Sequence, residues 1–252
     1  MMGVVTFRWL TVFLDFPGPA FEPGVAFWRE VTGYGLSAPR GDRGQFATLL
    51  PPSGDAYLRV QRVLADDGGC HLDLHVEAAA EPLDEVGARA AGLGATLRHR
   101  DPDGGLVIAD SPGGFTFCLV RWHAEATVPG ALVTGGGASR VDTLCIDVPP
   151  QGFERECAFW SALTGWAVRP ARVAGYSYLD QPAGLPVHIL LQRLDDAEPG
   201  QRVRGHLDFG CADREALARH QALGARVAGA HQFWTILADP AGHPYCLVDR
   251  ES

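Results

Sequence analysis

The sequence predicts an α+β protein made of four βαβββ units arranged as two domains. Three observations carry this. First, the chain repeats itself: residues 13–35 (FLDFPGPAFEPGVAFWREVTGYG) align with 145–167 (CIDVPPQGFERECAFWSALTGWA). Three shorter blocks then follow in the same order: His71-Leu-Asp-Leu with His206-Leu-Asp-Phe, Gly92-Leu-Gly-Ala with Ala222-Leu-Gly-Ala, and Ser111-Pro-Gly-Gly-Phe with Asp239-Pro-Ala-Gly-His. A repeat sustained over four ordered blocks marks duplicated structure. Second, within each repeat one helical pattern is followed by three short β-branched or aromatic runs, and this happens twice. Third, 252 residues with 46% hydrophobic and 20% charged residues are enough for two packed cores and exclude wholesale disorder.

The elements follow in order. Leu10 to Phe16 is rich in β-branched and aromatic residues and reads as a strand. Gly24 to Thr32 has apolar residues at 25, 27, 28 and 31, a helical stripe that stops at Gly33. Leu36 to Pro39, Phe46 to Leu50 and Tyr57 to Val63 complete the first unit, the last two separated by the turn Pro-Pro-Ser-Gly-Asp. His71 to Val76 opens the second unit. A helix over Pro82 to Leu93 places Leu83, Val86, Ala90 and Leu93 on one face and stops at Gly94. Strands at Ala95–His99, Leu106–Ala109 and Phe115–Arg121 close it. The second repeat runs through the same order. The expected domains are 5–122 and 140–250, joined by a linker over 123–139 whose Thr-Gly-Gly-Gly-Ala-Ser composition is flexible.

Charge and missing residue types narrow the function. All 21 Lys+Arg residues are arginine, so Schiff-base and P-loop lysines are excluded. A net charge of −9 repels phosphate backbones, so no nucleic-acid partner is expected. No apolar run approaches the ~20 residues of a membrane span, and the N-terminal residues lack the pattern of a signal peptide. The expectation is therefore a cytoplasmic protein, monomeric or homodimeric, with its six scattered cysteines as reduced thiols. GxSxG, HExxH and a strand-borne GxGxxG are all absent.

The Ala-Phe-Trp-x-x-x-Thr-Gly-aromatic helix exit, the His-Leu-Asp strand and Ala238-Asp-Pro-x-Gly before the final strand resemble the vicinal oxygen chelate superfamily, which includes glyoxalases, bleomycin-resistance proteins and extradiol dioxygenases. The resemblance is to its glyoxalase-like subgroup, in tandem. It implies two glyoxalase-like domains, each with a mixed sheet curved into a cup, and two domains that do for one another what a homodimer does in one-domain relatives. It also implies the positions where metal-using relatives hold a divalent cation: Thr11, Gln61, His71 and Cys118 in the first cup, and Thr143, Gln192, His206 and Cys246 in the second. The two Gln assignments depend on strand register.

Those residues do not form an ordinary metal set. Threonine is a poor ligand, and His with Gln binds weakly, whereas Cys with His suits zinc. No cofactor is expected on this count. A divalent metal remains possible, held in the second cup by His206, Cys246 and Gln192. Cys118 and Cys246 are otherwise small core residues. Strand alternation puts His71 with Asp73, and His206 with Asp208, on one face, opposite the leucines. Each is either a general-base pair, which makes His206, Asp208, His71 and Asp73 the catalytic candidates, or a polar pair satisfying its own hydrogen bonds. Thr11, Gln61, Cys118, Thr143, Gln192, Trp234 and Cys246 are the ligand-binding candidates. Trp234 is chosen because aromatic residues enriched in the second repeat suit a flat ligand. Trp28 and Trp160 are expected in the core. The predicted function is binding of a small organic molecule in a sheet-lined cup, with isomerase or lyase chemistry or sequestration. A metal-dependent lyase or dioxygenase is the alternative.

Overall fold

A computed structural model describes residues 7–64, 68–77, 79–198 and 200–250. Residues 5 and 6, where the first domain was expected to begin, lie outside them. The first repeat forms β1 (Phe7–Pro17), α1 (Phe21–Thr32), β2 (Gly35–Leu36), β3 (Phe46–Leu50), β4 (Leu58–Val63), β5 (Gly69–Val76), α2 (Leu83–Gly92), β6 (Thr96–Arg100), β7 (Leu106–Asp110) and β8 (Thr116–Arg121). After β9 (Leu132–Thr134), the second repeat forms β10 (Gly137–Val148), α3 (Phe153–Thr164), β11 (Ala167–Pro170), β12 (Tyr176–Asp180), β13 (His188–Arg193), β14 (Arg204–Cys211), α4 (Ala216–Ala222), β15 (Arg226–Ala230), β16 (Trp234–Ala238) and β17 (Pro244–Asp249). This is βαβββ four times over, in an α+β fold.

The strands form two mixed sheets of the same order. The first runs β2-β3-β4-β1-β5-β8-β7-β6 and the second β11-β12-β13-β10-β14-β17-β16-β15, with β9 paired to β10. Hairpins are antiparallel, while β1–β4, β5–β8 and β14–β17 are parallel. The parallel pairs need a crossover, and the helix of each unit supplies it. The segment 123–139 contains β9, which forms a hairpin with the start of β10. Thr134 Oγ1 donates to Asp213 Oδ2 at 2.9 Å, and Arg219 binds the same carboxylate. Burial alone would raise the Asp213 carboxyl, but Arg219, the Glu215 N–H and Thr134 hold it below the usual aspartate range.

The Trp-x-x-x-Thr-Gly motif has a local cause. Thr32 Oγ1 donates to the Trp28 carbonyl at 2.6 Å, and Thr164 Oγ1 does the same to Trp160. Gly33 and Gly165 then take left-handed φ values of 71° and 75°, which end each helix where a side chain would be strained.

Packing gathers the described residues into two compact units that do not follow the repeats. One holds 7–11, His71–Ala126 and Cys145–Gly205. In it α3 of the second repeat lies on β8 of the first, with Trp160 and Phe159 at 5.4 and 5.8 Å from Phe117. The other unit holds Val12–Cys70, Thr127–Leu144 and 206–250. In it α1 of the first repeat lies on β14 and β17 of the second, where Trp28 stacks on Phe209 at 5.8 Å and meets Tyr245 at 5.5 Å. Trp28 and Trp160 are core residues, as expected, at 1% and 0% exposure. Among the described residues no helix is long and apolar enough to cross a membrane.

Candidate functional site

Each compact unit contains the same three side chains on the same two strands. In the first, β5 carries His71 and Asp73 and its parallel neighbour β8 carries Cys118, in register opposite Asp73. In the second, β14 carries His206 and Asp208, and β17 carries Cys246 opposite Asp208. Alternation along the strand turns these residues to one face and Leu72, Leu74, Leu207 and Phe209 to the other. His71, Asp73 and Cys118 are all buried, as are Asp208 and Cys246; His206 is half-buried.

In each triplet an imidazole nitrogen, a carboxylate oxygen and a sulfur lie within 4.8 Å of one another. His71 Nε2 is 3.8 Å from Asp73 Oδ1. His206 Nε2 is 3.3 Å from Asp208 Oδ1 and 3.6 Å from Cys246 Sγ. A nucleophilic relay would use opposite ring nitrogens, one toward the thiol and one toward the carboxylate. Here the same nitrogen faces both, so three donor atoms converge on a common point. Burial pushes the Cys246 thiol above its ordinary value, the His206 hydrogen bond offsetting part of the rise. A raised thiol is a poor free nucleophile, which argues further against a relay.

In the second cup the expected set was His206, Cys246 and Gln192, and the structure adds Asp208 beside the first two. Gln192 lies on β13 of the same sheet, its Oε1 3.8 Å from Cys145 Sγ on β10. Gln61 lies between Asp15 on β1 and Phe46 on β3. Thr11 is fully buried, and its hydroxyl is 2.9 Å from His75 Nε2, while Glu125 Oε1 is 3.7 Å from the other ring nitrogen. This Thr–His–Glu line has the order of a relay, with the Thr11 hydroxyl buried at 0% exposure. Sequence reasoning missed His75, although it stands two residues past Asp73 on the same strand face. Thr143, the counterpart of Thr11, instead accepts a hydrogen bond from Arg250, which also binds Asp142.

Trp234 lines a different place. An open groove of about 720 Å³ is bordered by Trp234, Phe233, His231, Arg214, Leu217 and Val248. The Trp234 indole stacks on the His231 ring at 4.6 Å. The groove reaches Cys211 at the far end of β14, five residues from His206, or ~16 Å along an extended strand.

A family model described as the glyoxalase-like domain matches residues 11–120 and again 143–248. The chain belongs to the glyoxalase-like domain family. Its two glyoxalase-like copies place it in the vicinal oxygen chelate superfamily. Solved structures share the fold over most of their length. The Mn(II)-bound glyoxalase from Novosphingobium aromaticivorans superposes with a TM-score of 0.64 at 16% identity, covering 96% of this chain and 83% of that one. The 2,2',3-trihydroxybiphenyl 1,2-dioxygenase from Sphingomonas wittichii gives 0.64 at 15% identity, covering 96% and 90%. The 2,3-dioxygenase LapB from Pseudomonas gives 0.61 at 14% identity, covering 94% and 90%. No curated protein sequence matches the chain.

Proposed function

We propose that this glyoxalase-like protein binds a small organic molecule with adjacent oxygen atoms through a divalent cation held by the His–Asp–Cys triplets, and carries out lyase- or isomerase-type chemistry on it. The observation that carries the reading is the convergence of His206 Nε2, Asp208 Oδ1 and Cys246 Sγ, repeated at His71, Asp73 and Cys118. Asp208 Oδ1 is buried and makes no well-aligned hydrogen bond, facing only ligand-type atoms such as His206 Nε2 at 3.3 Å, a state that a cation would relieve. Imidazole, carboxylate and thiolate as three protein ligands with one open position match a catalytic zinc-type site. The sulfur favours a borderline ion over Mn(II), the ion named in the Novosphingobium glyoxalase. When bound, such a cation supplies Lewis-acid polarisation of a substrate oxygen.

The chain's own part is to hold the donors and to handle the proton. Packing behind β5 and β14 fixes the two histidines and their aspartates in one orientation. With no lysine present, any base must be a histidine or a carboxylate.

Metal content and metal titration test the reading. The expected result is two zinc-type cations per chain, one in His206→Ala and none in the His71→Ala/His206→Ala double variant. Thermal shift with catechols and 1,2-dicarbonyl adducts should then depend on the cation. A wild-type protein that is metal-free and takes up no divalent cation on titration would sink the proposal, and ligand shifts that persist without metal would favour sequestration.

A further inference from the structure

The two helix–turn contacts solve one problem in opposite ways. In the second unit, Trp28 on α1 donates its indole N–H to Asp239 Oδ2 at 2.8 Å. The other oxygen of Asp239 accepts the backbone N–H groups of Ala241 and His243 at 2.8 and 2.9 Å, closing the turn that leads into β17. In the first unit the equivalent turn begins with Ser111, which has no carboxylate. There Glu156, on α3, provides it. Its Oε2 accepts the Trp160 indole at 3.1 Å, and its Oε1 accepts the Ser111 hydroxyl at 3.0 Å and the Gly113 N–H. Both carboxylates are buried, Glu156 at 1% and Asp239 at 0% exposure.

The surrounding residues fit one source of carboxylate at each contact. The counterpart of Glu156 on α1 is Gly24, and a Cβ there would lie 2.4 Å from the Phe16 ring. The helix that meets Asp239 therefore has no room for a glutamate. Conversely, a Cβ on Gly113 would lie 2.7 Å from Glu156 Oε1, while its counterpart in the other turn is Ala241. Each turn is shaped for its own carboxylate.

We infer that each contact admits one carboxylate and only one, so that the pair forms a recognition code selecting which helix packs on which turn. With the helices interchanged, Glu156 would face Asp239, two buried carboxylates together, and Trp28 would face Ser111 with no carboxylate to accept its indole. Both wrong contacts are costly, one by like-charge burial and the other by the loss of a charged acceptor for the buried indole. The code favours the arrangement in which each repeat lends its first helix to the other.

The test uses the full chain. Ser111→Asp puts a second carboxylate beside Glu156 and should lower the melting midpoint by roughly 6–12 °C, the scale of an uncompensated buried charge in a chain of this size. Ser111→Asn, of the same shape but neutral, should cost far less. In Ser111→Asp/Glu156→Ala the new aspartate replaces the lost glutamate, so the midpoint should return to within roughly 3 °C of wild type. If Ser111→Asp does not fold, the double variant must recover a folded protein. In that double variant both turns carry the carboxylate and neither helix does, so refolding from denaturant should give a mixture of species on size exclusion where wild type gives one. Additive losses in the double variant, equal losses from Asn and Asp, or refolding of the double variant to a single species would each overturn the code.

Discussion

Acidification should expose the difference between two versions of one core position. His220 on α4 is fully buried, its Nδ1 3.0 Å from the Tyr245 hydroxyl and its ring edge-on to Phe27 and Phe209. The charged groups nearest it are Arg219, which disfavours a second positive charge, and Asp213, which favours it. Burial dominates and drops the imidazole from 6.5 to about 4. The sign follows from proton counting. Above pH 6.5 the ring is neutral in both folded and unfolded chains and contributes no pH dependence. Between pH 6.5 and 4 the unfolded chain takes up a proton that the folded chain refuses, so stability falls as pH falls. A separation of about 2.5 units, at about 1.4 kcal/mol per unit, makes the loss about 3 kcal/mol by pH 4. The first repeat holds Ala90 and Phe117 where the second has His220 and Tyr245, so His220→Ala/Tyr245→Phe is a substitution the architecture already uses. Urea unfolding followed by tryptophan fluorescence at pH 7, 6, 5 and 4.5 should show the wild type losing stability faster than the variant, the gap widening by about 1.4 kcal/mol per pH unit below 6.5. Parallel profiles across that window would refute the claim that the fold excludes this proton.

Two further outcomes are expected. Thr11→Val removes the hydroxyl facing His75 and leaves a buried imidazole nitrogen without that partner, so unfolding free energy should drop by about 1–3 kcal/mol while Thr11→Ser keeps most of it; a valine variant as stable as wild type would show that the contact contributes nothing. Asp208→Asn and Cys246→Ser should each weaken divalent-cation binding at least tenfold in calorimetric titration. Unchanged binding in either variant would remove that residue from the donor set.

The order of the repeated strands was legible because they are bounded by turn residues and present twice, whereas β9, which has no counterpart, fell in the expected linker. Helix ends were legible for the same reason, as the Thr-Gly exit writes its own cap. The faces of β5 and β14 followed from alternation alone, which brought His71 to Asp73 and His206 to Asp208. What periodicity does not carry is the partner of an apolar face. A helical stripe at 25, 27, 28 and 31 demands burial without saying against which sheet, and Trp28 finds its acceptor 211 residues away. Asp208 was read as the partner of His206, which it faces at 3.3 Å, but the register that sets Cys246 opposite Asp208 is not written in either strand alone.

The exchange of helices also has a consequence in time. During synthesis α1 leaves the ribosome long before β14, and the Phe27 and Trp28 faces that Phe209 and Tyr245 will cover have no native cover until those residues are made. From Thr32 to Phe209 is 177 residues, 209 minus 32, or roughly 10–35 s at ordinary elongation rates. The nascent chain must carry an aromatic helix face uncovered through that interval. Translation speed and holding chaperones then become determinants of yield for a protein whose finished form hides every trace of the delay.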